Sequence, residues 1–114
     1  MIIVDLALAT ICFANTCANV LVGNHTPTGT FSLYHMQTEQ AGYGGDVIVF
    51  HETDTYRLAI HRVWMLNPKE RRMEKIRSSN PKVRRYVSNG CINVEPEVYQ
   101  QILDCCINQQ LVIK

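Results

Sequence analysis

Val87-Ser88-Asn89-Gly90-Cys91-Ile92-Asn93 is the most informative stretch of this 114-residue sequence. It leads from a polar loop into a β-branched run, with a cysteine directly after glycine. Backbone N–H groups in such a loop can point at whatever the thiol attacks, which would form an oxyanion hole. A cysteine attacks as its thiolate and needs a base that ionises it near neutral pH. The stretch therefore predicts a nucleophile at Cys91 whose base lies elsewhere in the chain.

The base has four candidates, His25, His35, His51 and His61. Spacing alone does not choose among them. His61 is favoured because it ends an apolar run, so a strand would hold its ring in place. The alternative for each histidine is a core or surface side chain without a catalytic role.

The sequence around this stretch predicts a mostly β domain. Short apolar runs separated by turn formers predict strands at 2–4, 11–13, 20–22, 31–34, 47–50, 55–60 and 111–113. Loops rich in Gly, Asn and Pro are expected at 23–29 and 40–46. Many short strands with two late helices indicate a sandwich or barrel with helical decoration, formed by residues 1–114 as one domain.

One of the two helices is expected before Cys91 and one after it. The first, Lys69–Arg77, follows Asn67-Pro68, a capping side chain and a proline in the first turn. The second opens at Val94-Glu95-Pro96. Its apolar face is expected to combine residues three or four apart: Val98, Ile102 and Cys105 or Cys106.

Charge is unevenly distributed. The formal net charge of +1 argues against a nucleic-acid binder, since those carry a clear basic excess. Residues 69–85, however, hold eight of the eleven Lys and Arg residues and carry a net +6, which leaves −5 for the remainder. This basic stretch is interpreted as a solvated helix face, a lure for carboxylates or a docking surface for a protein partner.

The first residues resemble a signal peptide only superficially. No basic residue precedes the apolar run, and Asp5 interrupts it. No stretch reaches the roughly 18 apolar residues that a membrane helix needs. We therefore expect no signal peptide in this chain and no membrane span.

Five cysteines leave at least one thiol unpaired. Cys12 and Cys17 flank a turn and would oppose each other on paired strands, which suits a disulfide. Cys105 and Cys106 are adjacent on the second helix, so at least one is expected to pack inward.

Three blocks in this order resemble the catalytic domain of the cysteine-dependent L,D-transpeptidases, the YkuD or ErfK/YbiS/YcfS/YnhG family. Thr26–Phe31 is similar to the family's TPTGTF loop, and Ala59-Ile60-His61 to its AIH block. Ser88–Asn93 is similar to its S/T-H-G-C-hydrophobic-N signature. Each block is weak alone, but together they are specific, and the resemblance extends from Ile3 to Ile113. It implies a YkuD-like β-sandwich or barrel.

The resemblance implies acyl transfer on peptidoglycan stem peptides. Cys91 would attack the carbonyl before the terminal D-alanine and form a thioester, with His61 as its base and the Arg62 main-chain carbonyl orienting the ring. An amine would take the acyl group in cross-linking or exchange, or water would take it in L,D-carboxypeptidase trimming. Four residues around the nucleophile are expected to form the loop that binds the oxyanion and the substrate: Ser88, Asn89, Gly90 and Asn93. No metal or organic cofactor is implied.

Two departures from the family pattern leave an alternative open. Asn89 stands where the family has a histidine, and it cannot titrate. The interval of 30 residues from His61 to Cys91 is longer than usual, because it includes the basic stretch. The alternative is a domain of the same fold that binds stem peptides without turnover.

The expected place of action is the periplasm, where peptidoglycan lies. One biological setting is maintenance of the cell wall. The other, favoured here because no leader is recognised, is an antibacterial effector delivered by a type VI secretion system, which would require a cognate immunity protein as a partner.

Overall fold

Two β-sheets enclose the main hydrophobic core in the computed structural model, which describes all residues from 1 to 114. The strands are β1 (Ile2–Asp5), β2 (Thr10–Phe13), β3 (Thr16–Asn19), β4 (Gly29–Phe31), β5 (Tyr34–Gln37), β6 (Asp46–Glu52), β7 (Arg57–Arg62), β8 (Ile92–Val94) and β9 (Leu111–Ile113). The helices are α1 (Arg72–Ile76), α2 (Pro81–Arg84) and α3 (Pro96–Cys106), with a 3-10 turn at Pro68–Glu70. The prediction of a mostly β sandwich is confirmed.

The first sheet has the strand order β3-β2-β1-β9-β4 and the second β5-β6-β7-β8. Alternate residues of the strands point between the sheets, as the two-residue period of a strand requires. Ile2 and Ile11 of the first sheet thus share one core cluster with Ile48, Ile60 and Ile92 of the second. The last two strands close the fold, since β9 pairs parallel with β1 and β8 pairs parallel with β7.

The hairpin of β2 and β3 carries a disulfide. Ala14 and Asn15 both have positive φ, as a tight two-residue hairpin turn of the primed type requires. The turn brings Cys12 opposite Cys17 in the antiparallel register, with their Cα atoms 4.1 Å apart, and the two sulfurs are bonded. The expected pairing of these two cysteines is therefore present.

The central strands of the second sheet are apolar on both faces. Ile48 and Ile60 point into the core between the sheets. Val47, Val49 and Ala59 form a separate buried cluster on the outer face. The outer face is therefore covered as well, and it is the face on which the candidate site lies.

The predicted helix at Lys69–Arg77 is wrong as a single element. Asn67 caps a 3-10 turn that ends at Arg71, which adopts a left-handed conformation with φ 51°, and α1 begins only at Arg72. Burial explains the break, because the new direction lets Ile76 pack with Leu21 and Val63 in a small second core.

α1 ends at Ile76, and Asn80-Pro81 starts the next short helix, α2. The Asn80 side chain accepts a hydrogen bond from the Lys82 N–H, and Pro81 occupies the first helical position. Residues 67–85, which hold the basic stretch and lengthen the interval between His61 and Cys91, form the insertion before the nucleophile. This insertion contains two short helices and a 3-10 turn where one helix was predicted.

The basic stretch is not simply a solvated helix face. Arg84 is only 3% exposed and donates to the main-chain carbonyls of Leu8, Ala9 and Ser78. Burial lowers the pKa of its guanidinium. Its role is to hold the insertion against the β1–β2 turn.

Three strand predictions need correction. Residues 20–22 do not form a regular strand. Their pairing is a single antiparallel β-bridge between Leu21 and Asn93. The expected strand at 31–34 is two strands, with β4 ending at Phe31 and β5 starting at Tyr34. The predicted strand at 55–60 lies at Arg57–Arg62, so His61 falls within it.

The helix α3 covers the core through Tyr99, Ile102 and Cys106, which are essentially unexposed. Of the two adjacent cysteines, Cys106 is therefore the packed one, and the structure joins it to Cys105 by a bond between neighbours. With its 11 residues, α3 is the longest helix, and none of the helices has the length and hydropathy that crossing a bilayer requires.

Candidate active site

Cys91 lies at the end of the loop that leads into β8. The parallel register pairs Ile60 with Ile92, so Cys91 stands beside Ala59, one position earlier. The N–H of Ala59 donates to the Cys91 sulfur at 3.4 Å. Cys91 is the one cysteine of the chain without a disulfide, and it is half-buried.

His61 lies two residues after Ala59 on β7 and therefore on the same face of the sheet. Its side chain is buried, and Nδ1 is 2.6 Å from the main-chain oxygen of Arg62. A carbonyl oxygen can only accept, so Nδ1 carries the hydrogen and Nε2 keeps its lone pair. The contact with the Arg62 carbonyl is the one that the resemblance implies.

The electrostatics keep this pair of groups neutral. The pKa of His61 is lowered to about 4, mainly by burial and also by the charge of Arg72, while the hydrogen bond to the Arg62 carbonyl acts in the opposite direction. Burial also raises the pKa of the Cys91 thiol, although the Ala59 N–H and Arg72 act in the opposite direction. At neutral pH the site therefore rests as a thiol and an uncharged imidazole.

The loop before Cys91 is held internally by Ser88. The Ser88 hydroxyl donates to the carbonyl oxygen of Cys91 at 2.6 Å and accepts from the Gly90 N–H at 3.2 Å. The Gly90 N–H, one of the expected oxyanion donors, is therefore engaged within the loop. Asn89 is exposed at the rim of the site.

The Thr26–Phe31 block contacts the same loop from the other side. The Thr26 hydroxyl is buried and donates to the carbonyl oxygen of Gly90 at 3.1 Å. It also accepts from the N–H of Gly23 at 3.0 Å. A Cβ at Gly23 would lie 1.8 Å from the Ser88 oxygen, so only glycine allows this approach. Two of the three sequence blocks thus meet at the residue before Cys91.

Asn93 is fully buried and connects the end of β7 to the insertion. Its Oδ1 accepts from the Trp64 N–H at 3.0 Å and from the Arg72 guanidinium at 3.2 Å. Its Nδ2 is buried without a partner. Asn93, assigned to the substrate loop from the sequence, therefore lies behind the site and supports it.

The Tyr43 ring covers His61 and itself packs against Trp64. The Tyr43 ring meets the His61 ring edge-on at 4.9 Å and the Trp64 ring at 5.0 Å. Trp64 lies against the glycine-rich loop at Gly42, where a Cβ would be 2.5 Å from its ring. Burial raises the pKa of Tyr43, and the nearby Cys91 adds to this effect. This packing contributes to the burial of the imidazole, which is 2% exposed.

The Arg62 side chain holds this cover in place. Its guanidinium pairs with the Asp46 carboxylate at 2.9 Å and donates to the Tyr43 carbonyl at 3.1 Å. It also stacks on the Tyr99 ring, 4.1 Å from the ring centroid. Asp46 has a lowered pKa because, against a burial cost, it accepts from His35, Arg62 and Tyr99. Arg62 thus has two roles: its main-chain carbonyl orients His61, and its side chain holds the loop whose Tyr43 covers His61.

A cavity of ≈ 680 Å³ opens over Cys91 and His61. Its wall includes residues that the sequence singled out (Ser88, Asn89, Gly90) and others that it did not (Tyr43, Trp64, Arg72). The glycines on both sides of Tyr43 hint at a close-packed loop, whereas no sequence signal distinguishes Arg72 from its basic neighbours.

The other histidines do not share the position of His61. His25 lines the rim of the cavity, His35 pairs with Asp46, and His51 packs edge-on against Phe31. No group of three or more His, Cys, Asp or Glu side chains is arranged to hold a metal ion.

Comparison with known proteins gives a match to a solved structure. No family model matches the sequence, and no curated protein matches it. An L,D-transpeptidase from Mycobacterium smegmatis, known as a solved structure, superposes on 99% of this chain with a TM-score of 0.59 and 17% sequence identity. This chain spans 57% of the length of that one. The likeness shows that the chain has the fold of an L,D-transpeptidase, a YkuD-like β-sandwich.

Proposed function

We propose that this protein is a cysteine-dependent acyltransferase of the L,D-transpeptidase type that acts on peptidoglycan stem peptides. One observation carries the proposal. The free thiol of Cys91 shares a cavity with His61, whose Nδ1 is occupied by the Arg62 carbonyl and whose Nε2 is left as an acceptor. A free thiol and an imidazole with an open acceptor nitrogen, lining one cavity, are the two groups that such a reaction needs.

In the first half of the reaction, His61 takes the thiol proton through Nε2 as the Cys91 sulfur attacks the carbonyl carbon before the terminal D-alanine. The resulting imidazolium is stabilised by the Arg62 carbonyl at Nδ1. When the tetrahedral intermediate collapses, the C–N bond breaks and His61 returns the proton to the leaving amine. The products are free D-alanine and a thioester on Cys91.

In the second half, an acceptor attacks the thioester carbon. An amine of a second stem peptide or a D-amino acid gives cross-linking or exchange, and water gives L,D-carboxypeptidase trimming. His61 takes the acceptor's proton and returns it to the departing thiolate. The neutral resting state fits this cycle, since charge separates only when a substrate is bound.

The second candidate function is a binding module that holds stem peptides without turnover. The exposed Asn89, in place of a titratable histidine, is the feature that favours it. Asn89 has no hydrogen bond to Cys91 or His61, however, so its side chain does not carry the proton path proposed above.

Incubation with a tetrapeptide-stem muropeptide separates the two functions. The enzyme releases D-alanine, and Cys91→Ala abolishes the release, with a loss of about a thousandfold or more because the whole acyl-enzyme route is removed. Binding of the muropeptide by the wild-type protein with no release of D-alanine would identify the binding module instead.

The substrate lies in the periplasm, and we propose that compartment as the place of action. Export of the protein to the periplasm of a susceptible bacterium should deform cells or stop growth if it is a delivered effector. A wall-maintenance enzyme should be tolerated there. Cell deformation or growth arrest should disappear with Cys91→Ala, and retention of the protein in the cytoplasm should be harmless.

A further inference from the structure

We infer that Arg72, contributed by the insertion before Cys91, binds a carboxylate of the peptide substrate in the cavity beside the thiol. This inference rests on the proposed function and deepens it. It predicts a preference for substrates that bring a free carboxylate to this wall of the cavity.

Arg72 reaches the site because the helical structure of the insertion is interrupted at Arg71. Arg71 takes up the left-handed conformation, and Arg72 then starts α1 with its side chain on the cavity wall that also holds Cys91 and His61. Its side chain is 13% exposed. The guanidinium therefore faces the cavity from a mostly buried position, where a charge interaction is screened less than at the surface.

The guanidinium is not saturated by the protein. One terminal nitrogen donates to Asn93 Oδ1 at 3.2 Å and the other to Glu70 Oε2 at 3.2 Å. Nε is buried and has no partner. A guanidinium has five N–H donors in a planar fork that matches a carboxylate, and each terminal nitrogen of Arg72 keeps one N–H that the protein does not use.

The other arginines near the site are committed elsewhere. Arg84 donates its hydrogen bonds to three main-chain carbonyls away from the cavity. Arg77 is at the surface with Glu95. Arg57 also lines the cavity, but it is exposed and forms an ion pair with Glu52. Among the basic residues of the insertion, Arg72 alone lines the cavity.

The ligand class follows from this chemistry. A mostly buried cation with open donors gains most from an anion that accepts two hydrogen bonds, and carboxylates are the anions of a peptide substrate. Glu70 is more exposed than Arg72 and makes a single contact, so it balances the charge without closing the site. A substrate with an amide in place of that carboxylate would lack the interaction.

The first experiment needs no turnover, because Cys91 is the only free thiol of the oxidised protein. Its alkylation rate is measured with anionic iodoacetate and with neutral iodoacetamide under non-reducing conditions. Loss of Arg72 also makes the thiol harder to ionise, but this slows both reagents alike and cancels in the ratio of the two rates.

Arg72→Gln is expected to lower the iodoacetate-to-iodoacetamide ratio about tenfold. Arg77→Gln removes the same charge from the surface of the insertion and should leave the ratio unchanged. Glu70→Gln removes the competing carboxylate and should raise the ratio. A ratio that is insensitive to both Arg72→Gln and Glu70→Gln would overturn the inference.

The second experiment uses the tetrapeptide substrate with a free terminal carboxylate and with a terminal amide. Wild-type kcat/KM should be about tenfold higher for the acid, and Arg72→Gln should remove this preference. An equal loss for both substrates would assign Arg72 a structural role instead. An altered alkylation ratio without any turnover would support the anion site and count against the proposed function.

Discussion

The hydroxyl of Thr26 donates to the carbonyl oxygen of Gly90 at 3.1 Å, across 64 positions of the sequence. This buried contact joins the Thr-Pro-Thr-Gly loop to the residue before the nucleophile. The role of this loop is therefore to hold the segment that carries Cys91.

Thr26→Val keeps the side-chain shape and removes that donor. The buried Gly90 oxygen would lose its partner, at a cost of about 1–3 kcal/mol in the free energy of unfolding. Thermal denaturation and D-alanine release should both decline. Thr28→Val changes an exposed threonine of the same loop and should alter neither. Equal effects of the two substitutions would show that the contact does not matter.

Arg62→Ala separates the main-chain and side-chain roles of that residue. The carbonyl that orients His61 remains, so turnover should stay within about tenfold of wild type. The lost contacts with Asp46 and Tyr43 should lower the unfolding free energy by about 1–3 kcal/mol, measured by urea denaturation. A collapse of turnover with an intact fold would show that the guanidinium itself serves the reaction.

Loss of the Cys12–Cys17 disulfide should destabilise the protein by about 2 kcal/mol, because the bond closes a short loop. The test compares the unfolding midpoints of the oxidised wild type and the Cys12→Ser, Cys17→Ser double variant. D-Alanine release below the unfolding transition should be similar in both. Coincident midpoints would mean that the bond adds nothing to stability.

His61 should make the protein sensitive to acid. The folded state binds a proton at this ring only near pH 4, whereas the unfolded chain does so near 6.5. Between these values the unfolded state holds more protons, so acidification favours unfolding, by about 2 kcal/mol from pH 7 to pH 5. His61→Gln should lose this contribution. Urea denaturation at the two pH values would contradict the account if both proteins showed the same loss.

The short range of local sequence signals explains which parts of the fold were predictable. The strand β6 and the helix α3 have apolar patterns that predict their structure. Asn67-Pro68 was predicted to start a helix, and it starts a 3-10 turn. The interruption of the predicted helix at Arg71 could not be seen in the sequence, because a run of Lys, Arg and Glu has strong helical character. Only the burial of Ile76 against Leu21 gives α1 its new direction.

The site was predictable where its residues lie within recognisable blocks. Cys91 and His61 were singled out from such blocks, and the role of the Arg62 carbonyl came from the resemblance to the L,D-transpeptidases. Arg72 and Tyr43 were not, because their positions depend on how the insertion and the glycine-rich loop fold over the sheet. Asn93 was assigned to the substrate, yet its burial behind Trp64 gives it a supporting position.

The most direct test of the central claim is the mass of the intact protein after rapid quenching of its reaction with a tetrapeptide-stem substrate. We predict an added mass equal to the substrate minus D-alanine, located on Cys91 by peptide mapping. Cys91→Ala should show no adduct, and His61→Ala should form it far more slowly. Release of D-alanine without an adduct, or an adduct that persists in Cys91→Ala, would contradict the account.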